Sequence, residues 1–241
     1  MNRLILLPLA LLLLHCAMSP PTGRRTDHKD LQILLVGDSL MGGHLGNFLL
    51  TRLNSQSGIK AVRHWKISTG LSGIDRYSWI EAAYTYIQML QPDILIVWIG
   101  ANDSYSVKTS TDSSFKIVGS KEYKEHYGLK VKMFLHNSSP FVQRIYWIGL
   151  PAVDNAKFNS RYPVVNSIFQ AECSQVENAV FINTWELTSR GGQPLQSMTD
   201  KNGRTGPMFW DEVHYSSHGG KVLGELVLDV ISRDYPLPAL E

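Results

Sequence analysis

The amino-acid sequence predicts an α/β fold in which helices cover both faces of a five-stranded parallel sheet, giving a three-layer sandwich. Three observations in the 241-residue chain support this expectation. Short runs that are apolar almost throughout are typical of strands buried on both faces. Longer amphipathic stretches with helical spacing separate these runs. Strand alternating with helix indicates crossover connections, which join parallel strands.

The predicted strands and helices alternate along the chain. The strands are expected at 31–36, 61–67, 93–99, 144–150 and 179–182, and the helices at 45–53, 77–90, 123–135, 164–176 and 219–231. Pro92 is expected to end the second helix, because proline cannot continue the helical hydrogen-bond pattern. Segment 106–114 is Ser/Thr-rich and is expected to be a surface loop, and 191–208 an irregular excursion or a short hairpin.

The composition indicates a globular protein without a nucleic-acid partner. Hydrophobic residues make up 44% of the chain and charged residues 18%, which is not the composition of a disordered protein. The net charge of +2 and the absence of a long Lys/Arg block leave no electrostatic basis for binding nucleic acid. The length fits one α/β domain or two small ones. The chain has only two cysteines, Cys16 and Cys173, and no disulfide is expected in the mature protein.

The first residues have the pattern of an export signal. Arg3 gives a short basic start, and the apolar run over 4–14 is too short to span a bilayer comfortably. We therefore expect a signal peptide or lipoprotein signal over 1–19, a tether over 20–29 and the folded domain over 30–241.

Two processing events compete at the end of this signal. Cys16 follows the apolar run directly and resembles the lipidation site of a bacterial lipoprotein, although His15 stands where a small residue is usual. Cleavage after Ser19 is the alternative, and Pro20 next to the scissile bond should hinder it. Either event predicts an exported protein, periplasmic or anchored to the membrane through a lipid. A lipid at Cys16 would be the protein's membrane contact.

A serine and a distant Asp-x-x-His pair are the candidate catalytic residues of the sequence. Ser39 lies just past the first predicted strand, and Asp211 and His214 lie before the last predicted helix. In a serine hydrolase the serine attacks, the histidine takes its proton, and the aspartate orients the histidine. Ser39 alone would be read as a helix cap, which is a common role for serine.

The ends of three predicted strands are expected to meet. With the strand order 2-1-3-4-5, the first strand lies between the second and third, and ligands bind beyond the carboxyl ends of such strands. Ser39, Gly70 and Asn102 follow these three strands. The backbone N–H groups of Ser39 and Gly70 and the side-chain amide of Asn102 are candidate donors of an oxyanion hole. As alternatives, Gly70 and Asn102 would be ordinary turn residues.

Neighbouring polar residues receive structural assignments. Asp38 is expected to tie down the turn at the nucleophile, and Asp103 to cap a helix or loop. His218, the nearest rival of His214, is expected at the start of the last helix. His44 either lines the pocket or packs between helices.

Four sequence blocks resemble the SGNH (GDSL) hydrolase superfamily, in order: Gly37-Asp38-Ser39-Leu40, Gly70, Gly100-Ala101-Asn102-Asp103 and Asp211-x-x-His214. The resemblance spans roughly 31–231. Segments 68–72, 181–185 and 211–215 are similar to those of an exported bacterial branch. The resemblance implies a flavodoxin-like SGNH hydrolase fold and ester hydrolysis or acyl transfer through an acyl-serine, without a metal or organic cofactor. Glu212 departs from the pattern, because many relatives have glycine there.

The function expected from these features is a serine esterase. Its substrate would be an acylated small molecule or glycan, for example an O-acetyl ester on a cell-envelope glycan, which rests on export and family analogy alone. Two alternatives stay open: an O-acyltransferase that uses the same triad, and a non-catalytic envelope protein that uses the fold as a binding surface. The sequence has no His-x-x-x-His or Cys-x-x-Cys metal spacing and no dinucleotide-binding glycine pattern after the first strand.

Overall fold

A computed structural model describes residues 30–72, 77–108 and 114–237. The expected signal segment, Cys16 and the tether lie outside these residues, as does the end of the chain. Within the described ranges, no helix combines the length and the apolar character that crossing a membrane requires.

The described chain contains strands and helices in alternation. The strands are β1 (Leu31–Gly37), β2 (Ile59–Trp65), β3 (Ile94–Trp98), β4 (Ser106–Lys108), β5 (Phe115–Ile117), β6 (Arg144–Ile148), β7 (Ala179–Ile182), β8 (Ser189–Arg190), β9 (Gln193–Pro194), β10 (Ser197–Thr199) and β11 (Thr205–Pro207). The α-helices are α1 (Ser39–Gly42), α2 (His44–Asn54), α3 (Trp79–Leu90), α4 (Lys121–Ser138), α5 (Ala156–Asn159), α6 (Tyr162–Cys173), α7 (Thr184–Thr188) and α8 (Ser217–Asp234). Two 3₁₀ turns cover Asn102–Ser104 and Ser139–Phe141.

The central sheet has five parallel strands in the order β2-β1-β3-β6-β7. Numbered along the chain, these strands give the order 2-1-3-4-5, so the predicted fold class is confirmed: a three-layer α/β sandwich around a five-stranded parallel sheet. Helix α2 packs against α8, and α4 packs against both α3 and α6. These two groups of helices form the layers on either side of the sheet.

The middle of the sheet is buried on both faces. Every side chain of β3 is buried, and so is β1 from Ile33 to its end. This explains why the two strands read as continuous apolar runs in the sequence. Gly37, the last residue of β1, pairs with Trp65 of β2 and with Trp98 of β3. The three strands therefore end at one level, and the segments that follow them start from neighbouring points.

The boundaries of two long helices differ from the expectation, and their caps explain the difference. Helix α3 begins at Trp79 and not at residue 77, because the Ser78 side chain accepts a hydrogen bond from the Glu81 N–H. Helix α8 begins two residues earlier than expected, because the Ser216 hydroxyl accepts from the Gly219 N–H.

Two segments expected to be irregular contain short antiparallel pairs. Strands β4 and β5 pair across the segment that was expected to be a surface loop, of which 109–113 lies outside the described residues. Strands β8 and β9 form one hairpin, and β10 and β11 form a second, so of the two alternatives for 191–208 the short hairpin is correct and the irregular excursion is wrong. Strands of two or three residues are too short to show an alternating pattern in the sequence.

Candidate active site

The predicted triad residues lie together at the carboxyl edge of the sheet. Ser39 is the first residue of α1, directly after β1, and its Oγ lies 3.5 Å from His214 Nε2. The other ring nitrogen, Nδ1, lies 2.9 Å from Asp211 Oδ2. With its proton on Nδ1 and donated to Asp211, the imidazole leaves Nε2 as an acceptor towards Ser39. Ser39 is half-buried, and the other two side chains are about half exposed.

A closed turn holds the aspartate and the histidine in place. Asp211 Oδ1 accepts hydrogen bonds from the backbone N–H groups of Val213 (2.7 Å) and His214 (2.6 Å). The Trp210 N–H donates to the His214 carbonyl, and the Tyr215 hydroxyl donates to the Ala152 carbonyl. Partial burial works against ionisation of Asp211, but the hydrogen bonds from His214 and Val213 outweigh it and hold the pKa of the carboxyl below its usual range. Asp211 therefore stays an anion facing the imidazole.

Asp38 fastens the turn that carries Ser39, as its sequence position predicted. Its carboxylate accepts from the Leu40 N–H at 2.9 Å and from the Gly100 N–H at 3.1 Å, which joins the end of β1 to the end of β3. Asp38 is the N-cap of α1, so the alternative of Ser39 as the helix cap is wrong. Complete burial raises the pKa of Asp38 to about 7, against the opposing effect of its backbone hydrogen bonds.

The two other oxyanion-hole candidates lie side by side in neighbouring loops. The Asn102 side-chain amide donates to the Thr69 carbonyl at 2.9 Å, which fixes the amide against the loop after β2. Position 70 requires glycine for lack of space, since a Cβ there would lie 2.1 Å from Asp103 Oδ1. Gly100, between Asp38 and Asn102, has a φ of +136°, a backbone conformation that favours glycine.

Asp103 is a buried anchor for the loop that contains Gly70. Its carboxylate accepts from the N–H groups of Leu71 (2.9 Å) and Ser72 (2.8 Å) and from the Tyr127 hydroxyl (2.7 Å). The expectation of a helix cap is wrong for Asp103, whereas that of a loop cap is correct. Burial raises the pKa of Asp103, and its hydrogen bonds oppose that rise. Asp38 and Asp103 together connect the ends of all three strands.

A cavity of about 420 Å³ opens beside the triad. Leu40, Trp98, His214 and Tyr215 form part of its wall, and Trp210 and His44 stand at its side with ring centroids 6.2 Å apart. His44 therefore lines the cavity, one of the two expectations for it. His218 belongs to the start of α8, as expected, where its Nε2 donates to the Met198 carbonyl at 2.9 Å.

Some residues of the site are not marked by the sequence motifs. Trp210 is 76% exposed, immediately before Asp211, and a large aromatic residue in a polar loop is the signal that could have identified it. Asn155 was also missed: its side chain donates to Glu212 Oε2 at 2.7 Å and its N–H donates to the Glu212 carbonyl at 2.8 Å. Glu212, the departure from the family pattern, thus ties the triad loop to the chain that follows β6.

Metal ligands are not gathered at this site. In the three described ranges, no group of three or more His, Cys, Asp or Glu side chains is arranged to hold a metal ion. The chemical groups present are a hydroxyl, an imidazole facing it, a carboxylate on the imidazole, and an amide and two backbone segments nearby. This set suits nucleophilic acyl chemistry.

A family model described as a protein of unknown function (DUF459) matches residues 32–230. The chain belongs to the DUF459 family. No curated protein matches this DUF459 chain in sequence.

Solved structures share the fold of this DUF459 protein at low sequence identity. A catalytic mutant of Axe2, an acetylxylan esterase from Geobacillus stearothermophilus, is 16% identical with a TM-score of 0.57, covering 83% of this chain and 93% of that one. LAE5, an alpha/beta hydrolase from the metagenome of Lake Arreo, Spain, is 15% identical with a TM-score of 0.55 and coverages of 82% and 93%. The periplasmic domain of a lipopolysaccharide acetyltransferase from Salmonella ser. Paratyphi A is 15% identical with a TM-score of 0.53, covering 84% of each chain.

Proposed function

We propose that this DUF459 protein is a serine esterase that cleaves an O-acyl ester through an acyl-serine intermediate. The observation that carries the proposal is the continuous row of polar contacts from Asp211 to His214 and from His214 to Ser39. Nucleophile, base and orienting carboxylate in this sequence are what a serine hydrolase requires. Ser39 Oγ and His214 Nε2 are 3.5 Å apart, and catalytic hydrogen bonds are often this long before substrate binds.

The proposed reaction has two halves. Ser39 Oγ attacks the ester carbonyl carbon while His214 Nε2 takes the hydroxyl proton, and the carbonyl π electrons move onto the oxygen. The tetrahedral intermediate then expels the alcohol oxygen, which receives the proton from His214. Water next attacks the acyl-serine, giving its proton to His214, and collapse releases the carboxylic acid and returns the proton to Ser39.

Three donors are proposed for the oxyanion: the N–H groups of Ser39 and Gly70 and the side-chain amide of Asn102. The amide has two N–H groups, and the bond to the Thr69 carbonyl uses one of them. Preorganised donors of this kind contribute about 2.7–4 kcal/mol each to stabilising the transition state. Asp38 and Asp103 support the proposal, because they hold the loops that carry these donors.

Acetyl esters of glycans are the substrate class that the structural relatives suggest. Axe2 structures include catalytic mutants at a serine, an aspartate and a histidine, with the last two three positions apart, as Asp211 and His214 are here. Axe2 is described as acting on acetyl-xylooligosaccharide. We extend the acetylated-carbohydrate class to this chain. Export through the segment over 1–19, with Cys16 as the lipid attachment point, would bring the domain to cell-envelope glycans.

An O-acyltransferase is the second candidate, favoured by the likeness to the Salmonella lipopolysaccharide acetyltransferase domain. Both enzymes would form the same acyl-serine and differ in whether water or a sugar hydroxyl releases it. Product analysis with an acetyl donor and a free oligosaccharide in water separates them. An esterase gives acetate at a rate that the oligosaccharide does not change, whereas a transferase gives acetylated oligosaccharide.

Replacement of the nucleophile tests the proposed function. Ser39→Ala is expected to abolish hydrolysis of 4-nitrophenyl acetate and to prevent the mass increase that a fluorophosphonate probe produces. Removal of the nucleophile of a triad costs on the order of 10⁶-fold in kcat. Ser232→Ala is the matched control, because Ser232 is an exposed serine in the last turns of α8.

The outcomes of this test are distinct. Loss of both signals in Ser39→Ala, with both retained in Ser232→Ala, supports the acyl-serine mechanism. Equal hydrolysis by wild type and Ser39→Ala would contradict it. A wild-type protein that the probe does not label would favour the non-catalytic binding protein instead.

A further inference from the structure

The cavity beside the Ser39–His214 contact adjoins a second one along α2. The second cavity has a volume of about 670 Å³, and the two share His44 and Asn47 in their walls. Each volume lies in the range of cavities that hold an entire small molecule. A ligand that fills both is therefore longer than an acyl group with one small alcohol. We call the two adjoining cavities together the α2 cleft.

One face of helix α2 lines the cleft with polar side chains. His44, Asn47 and Thr51 are three and four residues apart and so lie above one another on the helix. They span about 10 Å of helix, at 1.5 Å per residue. Within the described part of the chain, none of the three side chains has a hydrogen-bond partner in the protein. Their donors and acceptors are available to a polyhydroxylated ligand.

An aromatic platform stands at the end of the cleft nearest Ser39. Trp210 is 76% exposed, and its backbone is held by the hydrogen bond to the His214 carbonyl. The backbone that carries the indole ring is therefore held beside Asp211 and His214. A large, exposed aromatic surface in a cavity is suited to stacking against the apolar face of a sugar ring.

The far end of the cleft carries a cation that the protein does not neutralise. Arg204 lines it, and its guanidinium has no hydrogen bond or ion pair with any described residue. Lys221 lies nearby but is occupied by Asp200, at 2.6 Å, and by Glu225, at 3.7 Å. The Asp200 side chain is itself buried, and the bond from Lys221 holds its carboxyl pKa below the usual range. Of the two cations that line this end of the cleft, Arg204 is thus the one without an ion pair to a described residue.

We infer that the alcohol portion of the substrate is an oligosaccharide of at least two sugars that bears a negative charge. A sugar next to the scissile ester stacks on Trp210, hydroxyls of the next unit meet the polar face of α2, and an anionic group pairs with Arg204. This inference rests on the proposed function for the identity of the reacting bond. The binding surface itself is defined independently of the reaction.

A binding experiment tests the inference without turnover. Ser39→Ala is titrated calorimetrically with hexasaccharides: oligogalacturonate and a heparin fragment as anionic probes, xylohexaose as the neutral one. At least one anionic probe is expected to bind about tenfold more tightly than xylohexaose at low salt, with an advantage that salt reduces. In that background, Arg204→Gln should remove the advantage, and Trp210→Ala should weaken all hexasaccharides about tenfold.

The control for charge is Arg190→Gln. Arg190 is an exposed arginine of β8, outside both cavities, and its replacement should leave every affinity unchanged. Because Trp210 and Arg204 are exposed, thermal unfolding is expected to show that their variants fold normally.

Failure of the inference and failure of the proposed function give different results. Binding of neither anionic hexasaccharide, or equal binding of anionic and neutral ones, would overturn the anionic-glycan inference while leaving Ser39-dependent hydrolysis of 4-nitrophenyl acetate intact. If the wild-type protein shows no Ser39-dependent hydrolysis of 4-nitrophenyl acetate but binds anionic hexasaccharides selectively through Arg204, the esterase proposal would be overturned and the binding site would stand.

Discussion

At the scale of single residues, the unusual feature of this protein is a pair of buried carboxyl groups near Ser39, the proposed nucleophile. Asp38 and Asp103 are fully buried, and each accepts backbone N–H bonds from a loop of the site. Their mutual repulsion contributes to the raised pKa of Asp38. The arrangement fixes the loops at the cost of burying charge, a compromise that is common where geometry matters more than stability.

The pKa of Asp38 makes stability depend on pH in a defined direction. The folded pKa of about 7 lies above the unfolded value, so the folded state holds the proton more tightly. The contribution of Asp38 to stability should therefore be greatest in acid, fall as pH rises from about 4 to about 7, and level off above that. Asp38→Asn should lose this dependence, so its free energy of unfolding relative to wild type should rise by on the order of 3 kcal/mol between about pH 5 and about pH 8.

Urea denaturation at several pH values measures this effect for wild type and Asp38→Asn. Asp30→Asn is the control, because Asp30 is an exposed aspartate at the start of the described chain. Its stability curve should run parallel to that of wild type. A parallel curve for Asp38→Asn as well would show that burial of Asp38 does not govern the pH dependence.

At the scale of elements, helix α8 is fastened at both ends. Its start follows the loop that carries Asp211 and His214, and its end is held by Asp234. Arg144, the first residue of β6, donates to both oxygens of Asp234 at 2.7 and 2.6 Å, and the Tyr146 hydroxyl donates to Oδ2 at 2.7 Å. A bidentate pair with a third donor, partly buried, is stronger than an ordinary surface ion pair.

Removal of this anchor should destabilise the protein in a way that depends on pH. Asp234→Ala is expected to lower the free energy of unfolding by about 1–3 kcal/mol at neutral pH, because three donors lose their acceptor. The bonds from Arg144 and Tyr146 hold the folded pKa of Asp234 below its usual range. The stabilisation is thus present above the unfolded pKa of about 4 and is lost as pH falls through the folded pKa.

Chemical denaturation at about pH 7 and about pH 3 tests this prediction. The difference between wild type and Asp234→Ala should shrink at the lower pH. Glu122→Ala, which removes an exposed carboxylate in the first turn of α4, should change little at either pH. A loss that is equal at both pH values would assign the effect of Asp234→Ala to packing.

The elements also show which parts of the fold can be predicted from sequence. The five strands of the main sheet were located because burial on both faces forces continuous apolar runs, as in β3. Helices α1, α5 and α7 have four or five residues, little more than one turn, and carry no periodicity that a sequence can reveal. A short hairpin over 191–208 was expected as one alternative, but the individual strands of the hairpins could not be located for the same reason.

The candidate site likewise has a part that the sequence predicts and a part that it does not. The meeting of Ser39, Asp211 and His214 was predicted from strand ends and spacing, and the contacts between them agree with it. The bond from Asn102 to the Thr69 carbonyl and the exposure of Trp210 were not predicted. They depend on how two loops pack against each other, and no local pattern records that packing.

At the scale of the whole molecule, the site depends on the ends of the central strands, since Trp98 of β3 lines the cavity and Ser39 follows β1. Strands β1 and β3 end at one level only because their buried side chains lock them between the two helical layers. The triad loop, by contrast, is exposed and is held by its own hydrogen bonds. Stability and reactivity should therefore respond to different substitutions.

Leu35→Ala separates these two properties. Leu35 is fully buried in the middle of β1, and its truncation should cost about 2–5 kcal/mol through lost burial and the cavity left behind. The midpoint of thermal unfolding should fall by roughly 4–20 °C, from about 2–4 °C per kcal/mol in a domain of this size. Leu129→Ala is the matched control, since that leucine of α4 is 57% exposed. Below the melting transition, both variants should react with a fluorophosphonate at the wild-type rate. Leu35 makes none of the contacts that join Asp211, His214 and Ser39, and it lies four residues before Ser39 along the chain. Equal melting points for the two variants would contradict the view that β1 is buried on both faces. A slowed reaction of Leu35→Ala alone would show that core packing sets the position of Ser39.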